Sequence, residues 1–74
     1  MRKVELLSEV TGSVWKVLTQ PGQTVQEDDP ILLIESMKME IPVVATEPGV
    51  IASILVQEGS AVAEGDVVAV LDAR

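Results

Sequence analysis

The chain has 74 residues with no cysteine and no histidine, so neither a disulfide nor a Cys/His metal site can stabilise it. A domain of this size buries only about 60% of the surface that its unfolded chain exposes, which leaves one core and little room for a pocket. The net charge of −7 argues against binding to nucleic acid or an anionic membrane, and no run of about 18 apolar residues predicts a membrane span. We therefore expect a soluble, cytoplasmic protein whose partners are proteins with basic surfaces.

The predicted elements are all β-strands, because the apolar residues are mostly Val, Ile and Leu and no segment has helical periodicity. In chain order we place strands at 3–7, 12–19, 30–36, 39–45, 49–56 and 67–72, with short pieces around Val25 and Val62. Apolar residues in two of these strands are three apart rather than two, at Val14 and Val17 and again at Ile51 and Ile54. This spacing predicts a β-bulge in each of the two strands.

The sequence is an internal duplication with a period of 37 residues. A shift of 37 superimposes Gly12 on Gly49, Leu18 on Leu55, Gln20 on Gln57, Gly22 on Gly59 and Glu27 on Glu64. Repeat solenoids generally need three or more units, so two units predict a closed pair in which neither unit buries its apolar face alone.

The junction between the two units lies at Met37 and Lys38, and the symmetry places it at the opposite end of the fold from the chain termini. The chain must reverse there between the strands at 32–36 and 39–43. A two-residue hairpin of the favoured primed type needs positive φ at both central positions, which Gly or Asn adopts readily. Every other predicted tight turn contains Gly or Pro, so this departure from the local rule indicates a functional constraint.

The residues of this junction resemble a known motif. Glu35-Ser36-Met37-Lys38-Met39-Glu40 is similar to the attachment motif of the biotinyl/lipoyl domain family, whose common form is Ala-Met-Lys-Met. The resemblance covers nearly all 74 residues, includes the Pro48-Gly49-Val50-Ile51 segment, and is strongest to short stand-alone biotin carboxyl carrier proteins. It implies a single carrier domain, residues 1–74. Its implied fold is an all-β flattened barrel or sandwich of two four-stranded antiparallel sheets, with quasi-two-fold symmetry between residues 1–37 and 38–74.

The resemblance also implies a function. Biotin would be attached to Lys38 as an amide by a biotin protein ligase, and would carry a carboxyl group between a biotin carboxylase and a carboxyltransferase. The chain has no His, Cys or Tyr to act as acid, base or nucleophile in those steps. We therefore expect a non-catalytic carrier, a substrate and subunit of enzymes rather than an enzyme.

Five residues flank the lysine and are the expected recognition residues: Glu35, Ser36, Met37, Met39 and Glu40. The methionines either contact partner enzymes or the biotin ring, or only fill gaps in the hairpin. The glutamates either are recognised by the ligase or only solvate the hairpin. Ser36 stands where Ala is commoner and is expected to change little.

Trp15 aligns with Ala52 and so breaks the symmetry; we expect it to be partly buried rather than a platform for a ligand.

Two other functions remain open beside the biotin carrier. A lipoyl carrier, or one that accepts both cofactors, is the nearest alternative, although lipoyl motifs usually have Asp before the lysine and a small or aliphatic residue after it. An unmodified adaptor that only binds partner proteins is the other alternative.

Overall fold

The computed structural model describes residues 2–73, which form eight β-strands. They are β1 (Arg2–Leu7), β2 (Gly12–Val17), β3 (Thr24–Val25), β4 (Pro30–Ser36), β5 (Met39–Val44), β6 (Gly49–Ile54), β7 (Ala61–Val62) and β8 (Val67–Ala73). Strands β2 and β6 each end two residues earlier than predicted. Beyond them the chain enters tight turns, in which the N–H of Gln23 donates to the carbonyl of Gln20 and that of Ser60 to Gln57.

The strands form two four-stranded antiparallel sheets, with the orders β1-β8-β6-β3 and β5-β4-β2-β7. Exchanging β1–β4 for β5–β8 converts one order into the other, so equivalent strands of the two units occupy equivalent positions. Each sheet takes two strands from each unit, and neither unit makes a sheet alone. The predicted pair of sheets with quasi-two-fold symmetry is therefore confirmed.

Both predicted β-bulges are present. The register of β2 against β4 shifts between Val14 and Lys16, and the register of β6 against β8 shifts between Ile51 and Ser53. The extra residues are Trp15 and Ala52, the pair at which the two units differ most in size. The bulges keep the apolar residues on either side of them pointed at the core, which explains their spacing of three.

One core lies between the sheets. Its fully buried large side chains are Leu6, Ile31, Leu32, Ile34, Ile51 and Leu71, together with Val14, Val25 and Val68. Val17 and Ile54, which the repeat predicts to be equivalent core residues, are only partly buried and pack against this cluster.

The domain is elongated, with extents of 35 × 17 × 17 Å. Arg2 pairs with Ala73 at one end, and Ser36 pairs with Met39 at the other, so the junction lies at the opposite end from the first and last described residues. The predicted positions of Met1 and Arg74 lie outside the described residues. Residues 2–73 contain no helix that is long and apolar enough to cross a membrane.

The symmetry of the core predicts that equivalent substitutions in the two units lower stability equally. Val17→Ala and Ile54→Ala are each expected to lower the free energy of unfolding by about 1–2 kcal/mol, the low end for a large-to-small change because both side chains are only partly buried. Urea midpoints of the two variants should fall by similar amounts. A loss confined to one variant would show that the two positions are not equivalent in the fold.

Candidate functional site

The hairpin between β4 and β5 closes through a two-residue turn at Met37 and Lys38. Ser36 and Met39 are the last paired residues, and φ is 52° at Met37 and 66° at Lys38. Two positive φ values are the mark of the predicted primed turn. A left-handed conformation costs a residue other than glycine of order 1–3 kcal/mol, and such strain is found where a site requires a particular side chain.

Elsewhere in residues 2–73, positive φ falls on glycine with one exception. Gly22, Gly59 and Gly65 adopt it, and Asp28 does so with a φ of 72°. Asp28 is the equivalent of Gly65, so the second unit has glycine where the first has aspartate. The expectation that every other tight turn would contain Gly or Pro is therefore wrong at Asp28, whose short polar side chain tolerates this conformation.

The tip of the hairpin presents its side chains to solvent. Lys38 is exposed, Met37 is 93% exposed and Met39 is 61% exposed. The other two lysines are engaged, since Lys3 Nζ lies 2.7 Å from Asp72 Oδ1 and Lys16 Nζ lies 5.7 Å from the centroid of the Trp15 ring. Within residues 2–73, Lys38 makes no ion pair. Among the three lysines, Lys38 is therefore the one whose amine neither forms an ion pair nor lies over an aromatic ring within residues 2–73.

The base of the hairpin contacts two neighbouring residues outside the predicted site, Thr11 and Gly12. The Ser36 hydroxyl donates a 2.9 Å hydrogen bond to the carbonyl oxygen of Thr11. Gly12 packs so closely on Glu35 that a Cβ at this position would collide with the Glu35 carbonyl oxygen. Ser36 is therefore more than a neutral substitute for alanine, because its hydroxyl ties the hairpin to the segment before β2.

The duplication supplies an internal reference for the charges of the hairpin. Glu35 lies directly opposite Glu40, and both are exposed. The equivalent residues of the other sheet are Asp72 and Lys3, which lie opposite each other and form an ion pair. One end of the fold thus has an attractive cross-strand pair where the other end has two like charges, which repel.

A second ion pair is replaced in the same way. Arg2 pairs with Glu47 at the end of the fold where Arg2 lies opposite Ala73. A shift of 37 places Met39 in the position of Arg2 and Val10 in the position of Glu47. The end of the fold where Arg2 lies opposite Ala73 therefore has two ion pairs that the hairpin end lacks. At the hairpin, acidic and apolar side chains occupy the equivalent positions. The fold accepts ion pairs at these positions, so folding alone does not explain their absence.

The charge reversal gives a direct stability test. Glu40→Lys restores an opposite-charge pair with Glu35 and is expected to stabilise the domain by about 0.5–1 kcal/mol in low salt. The matched variant Lys3→Glu creates a like-charge pair with Asp72 and should destabilise it by a similar amount. Urea midpoints measure both effects, and both should shrink in high salt. Equal stability of the two variants would contradict this interpretation of the pairs.

A groove of about 300 Å³ lies between the unpaired edges of β1 and β5. Its apolar lining includes Leu6, Ile34, Ile41 and Val43. A groove of this size differs from the expectation that a 74-residue chain leaves little room for a pocket. The groove forms because β1 and β5 are the edges of different sheets and do not pair with each other. No group of three acidic, His or Cys side chains suited to a metal ion occurs in the described residues.

Comparison with known proteins matches this arrangement to one family. The family model described as "Biotin-requiring enzyme", of the biotin/lipoyl type, matches residues 5–71, which include the whole hairpin. The chain belongs to the biotin/lipoyl attachment family.

Relatives of two sizes support this membership. The biotin/lipoyl attachment protein of Bacillus subtilis is 39% identical over 59 residues, 80% of this chain and 81% of the relative. The biotinylated protein TB7.3 homolog of Mycobacterium leprae is 36% identical over 67 residues, 90% of this chain and 94% of the relative. The crystal structure of Kluyveromyces lactis urea carboxylase contains the same fold, with a TM-score of 0.93 and 39% identity over 97% of this chain but only 6% of the carboxylase.

Proposed function

We propose that Lys38 is the attachment site of covalent biotin and that the domain is a biotin carboxyl carrier. The observation that carries the proposal is the exposed, unpaired amine of Lys38 at the tip of a turn with two left-handed residues that are not glycine. A primary amine is the acceptor that an amide linkage requires, and no neighbouring group within residues 2–73 competes for it by an ion pair.

Attachment asks little of the domain beyond presentation. Nζ of Lys38, once deprotonated, attacks the activated carboxyl carbon of biotin, a new C–N bond forms, and the activating group leaves. The product amide is neutral, so the net charge of the chain falls from −7 to −8. The enzyme that supplies the activated acyl group is, in this proposal, a biotin protein ligase.

The carrier role follows from the same geometry. Bound biotin supplies a ring nitrogen that accepts a carboxyl group and later releases it. The hairpin holds the arm away from the body of the domain, where a biotin carboxylase and a carboxyltransferase can each reach it. The similarity to a domain of urea carboxylase supports this pair of partners. The chain's own residues position the arm and supply no acid or base, so the domain itself is proposed to be non-catalytic.

The test is labelling of the purified apo-domain. Incubation with a purified biotin protein ligase, ATP and biotin should add one biotinyl group per chain, as intact mass measures, and should produce a band in a streptavidin blot. Absence of labelling of the folded domain would contradict the biotin proposal. Modification by a lipoyl-attaching enzyme alone would favour the lipoyl carrier, and no modification by either enzyme would favour the adaptor.

Cofactor choice is proposed to depend on the two methionines beside Lys38. Because Met37 and Met39 are largely exposed, Met37→Asp/Met39→Ala should change stability by only about 0.5 kcal/mol. The double variant should nevertheless lose turnover with the biotin ligase and gain modification by a lipoyl-attaching enzyme. Competitive labelling followed by peptide mass analysis measures the ratio. If the double variant keeps the parental rates with both enzymes, recognition depends instead on Glu35, Glu40 or the adjoining strands.

A further inference from the structure

The outer faces of the two sheets are equivalent in backbone but not in side chains. On the sheet that carries the hairpin, Trp15 and Lys16 lie at the bulge opposite Leu33, and Leu33 lies opposite Pro42. Leu33 points outward because its neighbours on both sides are fully buried. These residues form a row across the sheet in which Lys16 is the direct cross-strand partner of Leu33 and holds its Nζ 5.7 Å from the centroid of the Trp15 ring. We name the apolar members of this row the Trp15 row: Trp15, Leu33 and Pro42.

The other sheet shows what folding alone requires of such a row. Its equivalent residues are Ala52, Val70 and Glu5, with Val70 opposite both Ser53 and Glu5. The row there is smaller and ends in a charge, although the strands and the bulge are the same. Trp15 is 42% exposed, so its size is not needed to fill the core. The large apolar surface of the Trp15 row is therefore unexplained by the fold.

The charge next to the row indicates what kind of partner fits it. Glu35 and Glu40 adjoin the row on the side of the hairpin tip, and neither forms an ion pair within residues 2–73. Their equivalents, Asp72 and Lys3, neutralise each other. A protein surface with an apolar centre and a basic edge on the side nearest Lys38 is complementary to this face, since exposed Trp is a preferred anchor in interfaces and unpaired charges favour opposite ones.

The distance between the Trp15 row and Lys38 indicates which kind of basic, apolar protein surface binds there. Leu33 precedes Met37, the first residue of the turn, by four positions, or about 13 Å of strand. An ordinary interface of about 800 Å² on each partner is about 30 Å wide, so a protein bound to the row also covers the tip. An enzyme that acylates the amine of Lys38 must come this close to the hairpin. A partner that acts at the far end of an attached arm has no such requirement.

We propose that the Trp15 row is the docking surface for the enzyme that attaches the cofactor to Lys38. The proposal rests on the proposed function, because it presupposes that Lys38 is modified. It assigns a role to Trp15, Leu33 and Pro42, which lie outside the attachment motif. Trp15 is the anchor, and Glu35 and Glu40 orient the enzyme toward the tip.

The test is the variant Trp15→Ala, labelled by a purified biotin protein ligase. Alanine is the residue that the equivalent position already holds at Ala52, so the bulge accepts it. KM for the apo-domain should rise by about tenfold or more, the effect of losing an anchor tryptophan, while kcat stays within twofold. Trp15→Phe should recover most of the loss. The control Leu55→Ala removes another exposed apolar side chain, in the other unit, and should leave KM unchanged.

A binding measurement makes the test independent of turnover. Trp15 is the only aromatic residue of the chain, so incorporated fluorotryptophan gives one fluorine NMR signal. Addition of the ligase should shift or broaden it. The docking proposal is overturned if the signal is unchanged, or if Trp15→Ala is labelled with a KM within twofold of the parent. It is also overturned if that variant slows only a biotin carboxylase. Failure of the parent to be labelled would instead overturn the proposed function.

Discussion

Replacing Gly12 by alanine is expected to lower the free energy of unfolding by about 2–3 kcal/mol, the cost of forcing an extra group into a close-packed site. A Cβ at Gly12 would collide with the carbonyl oxygen of Glu35. Backbone atoms of a paired strand cannot move aside as a flexible side chain does. Gly12 does not have the positive φ that would by itself require glycine. The expected loss of stability therefore comes from the lack of room for a Cβ.

The duplication provides the matched control. Gly49→Ala meets the carbonyl oxygen of Asp72 in the same way and should cost about the same. Urea midpoints should therefore fall equally for the two variants. Their effects on labelling should differ, because Glu35 belongs to the hairpin and Asp72 lies at the opposite end of the fold.

Labelling rates are compared under conditions in which both glycine variants are folded. Gly12→Ala should be labelled several-fold more slowly than the parent, and Gly49→Ala at the parental rate. Unchanged midpoints for both variants would refute the close contacts. Equal labelling rates would refute the claim that Gly12 fixes the base of the hairpin.

The duplication explains why so much of the fold could be predicted from the sequence. A shift of 37 residues relates the two units, and inward-facing residues three apart locate both bulges. The primed turn follows from the sequence because only Met37 and Lys38 lie between two predicted apolar strands. These features are encoded in local spacing, and local spacing is what a single sequence displays best.

The remaining features depend on which strands become neighbours. The hydrogen bond from Ser36 to Thr11 joins residues that are 25 positions apart in the sequence. The atom that a Cβ at Gly12 would collide with is a carbonyl oxygen of another strand. The 37-residue shift does align Glu40 with Lys3, but only the strand register shows that each faces an acidic residue. Asp28 was missed because aspartate marks a left-handed position less clearly than glycine does.

Lys38→Arg is expected to abolish cofactor attachment completely while leaving the fold intact. Arginine keeps the positive charge, but its guanidinium stays protonated and is not an acylatable amine. The side chain is exposed and lies in a turn, so no packing is lost. Stability should change by no more than about 0.5 kcal/mol, as for other exposed substitutions.

The remaining lysines supply the control. Lys3→Arg keeps a cation beside Asp72, and Lys16→Arg keeps one over the Trp15 ring, so a Lys3→Arg/Lys16→Arg double variant should fold normally. It retains Lys38 as its single lysine. If Lys38 is the acceptor, this variant should be labelled to the same extent as the parent.

The decisive measurement is the intact mass of the three proteins after exhaustive labelling by a purified biotin protein ligase, with peptide mass analysis to locate the group. If Lys38 is the attachment site, one biotinyl group will be found on Lys38 of the parent and of the double variant, and none on Lys38→Arg at an unchanged urea midpoint. Labelling of Lys38→Arg to the parental extent, or a biotinyl group found on Lys3 or Lys16 of the parent, would contradict this assignment.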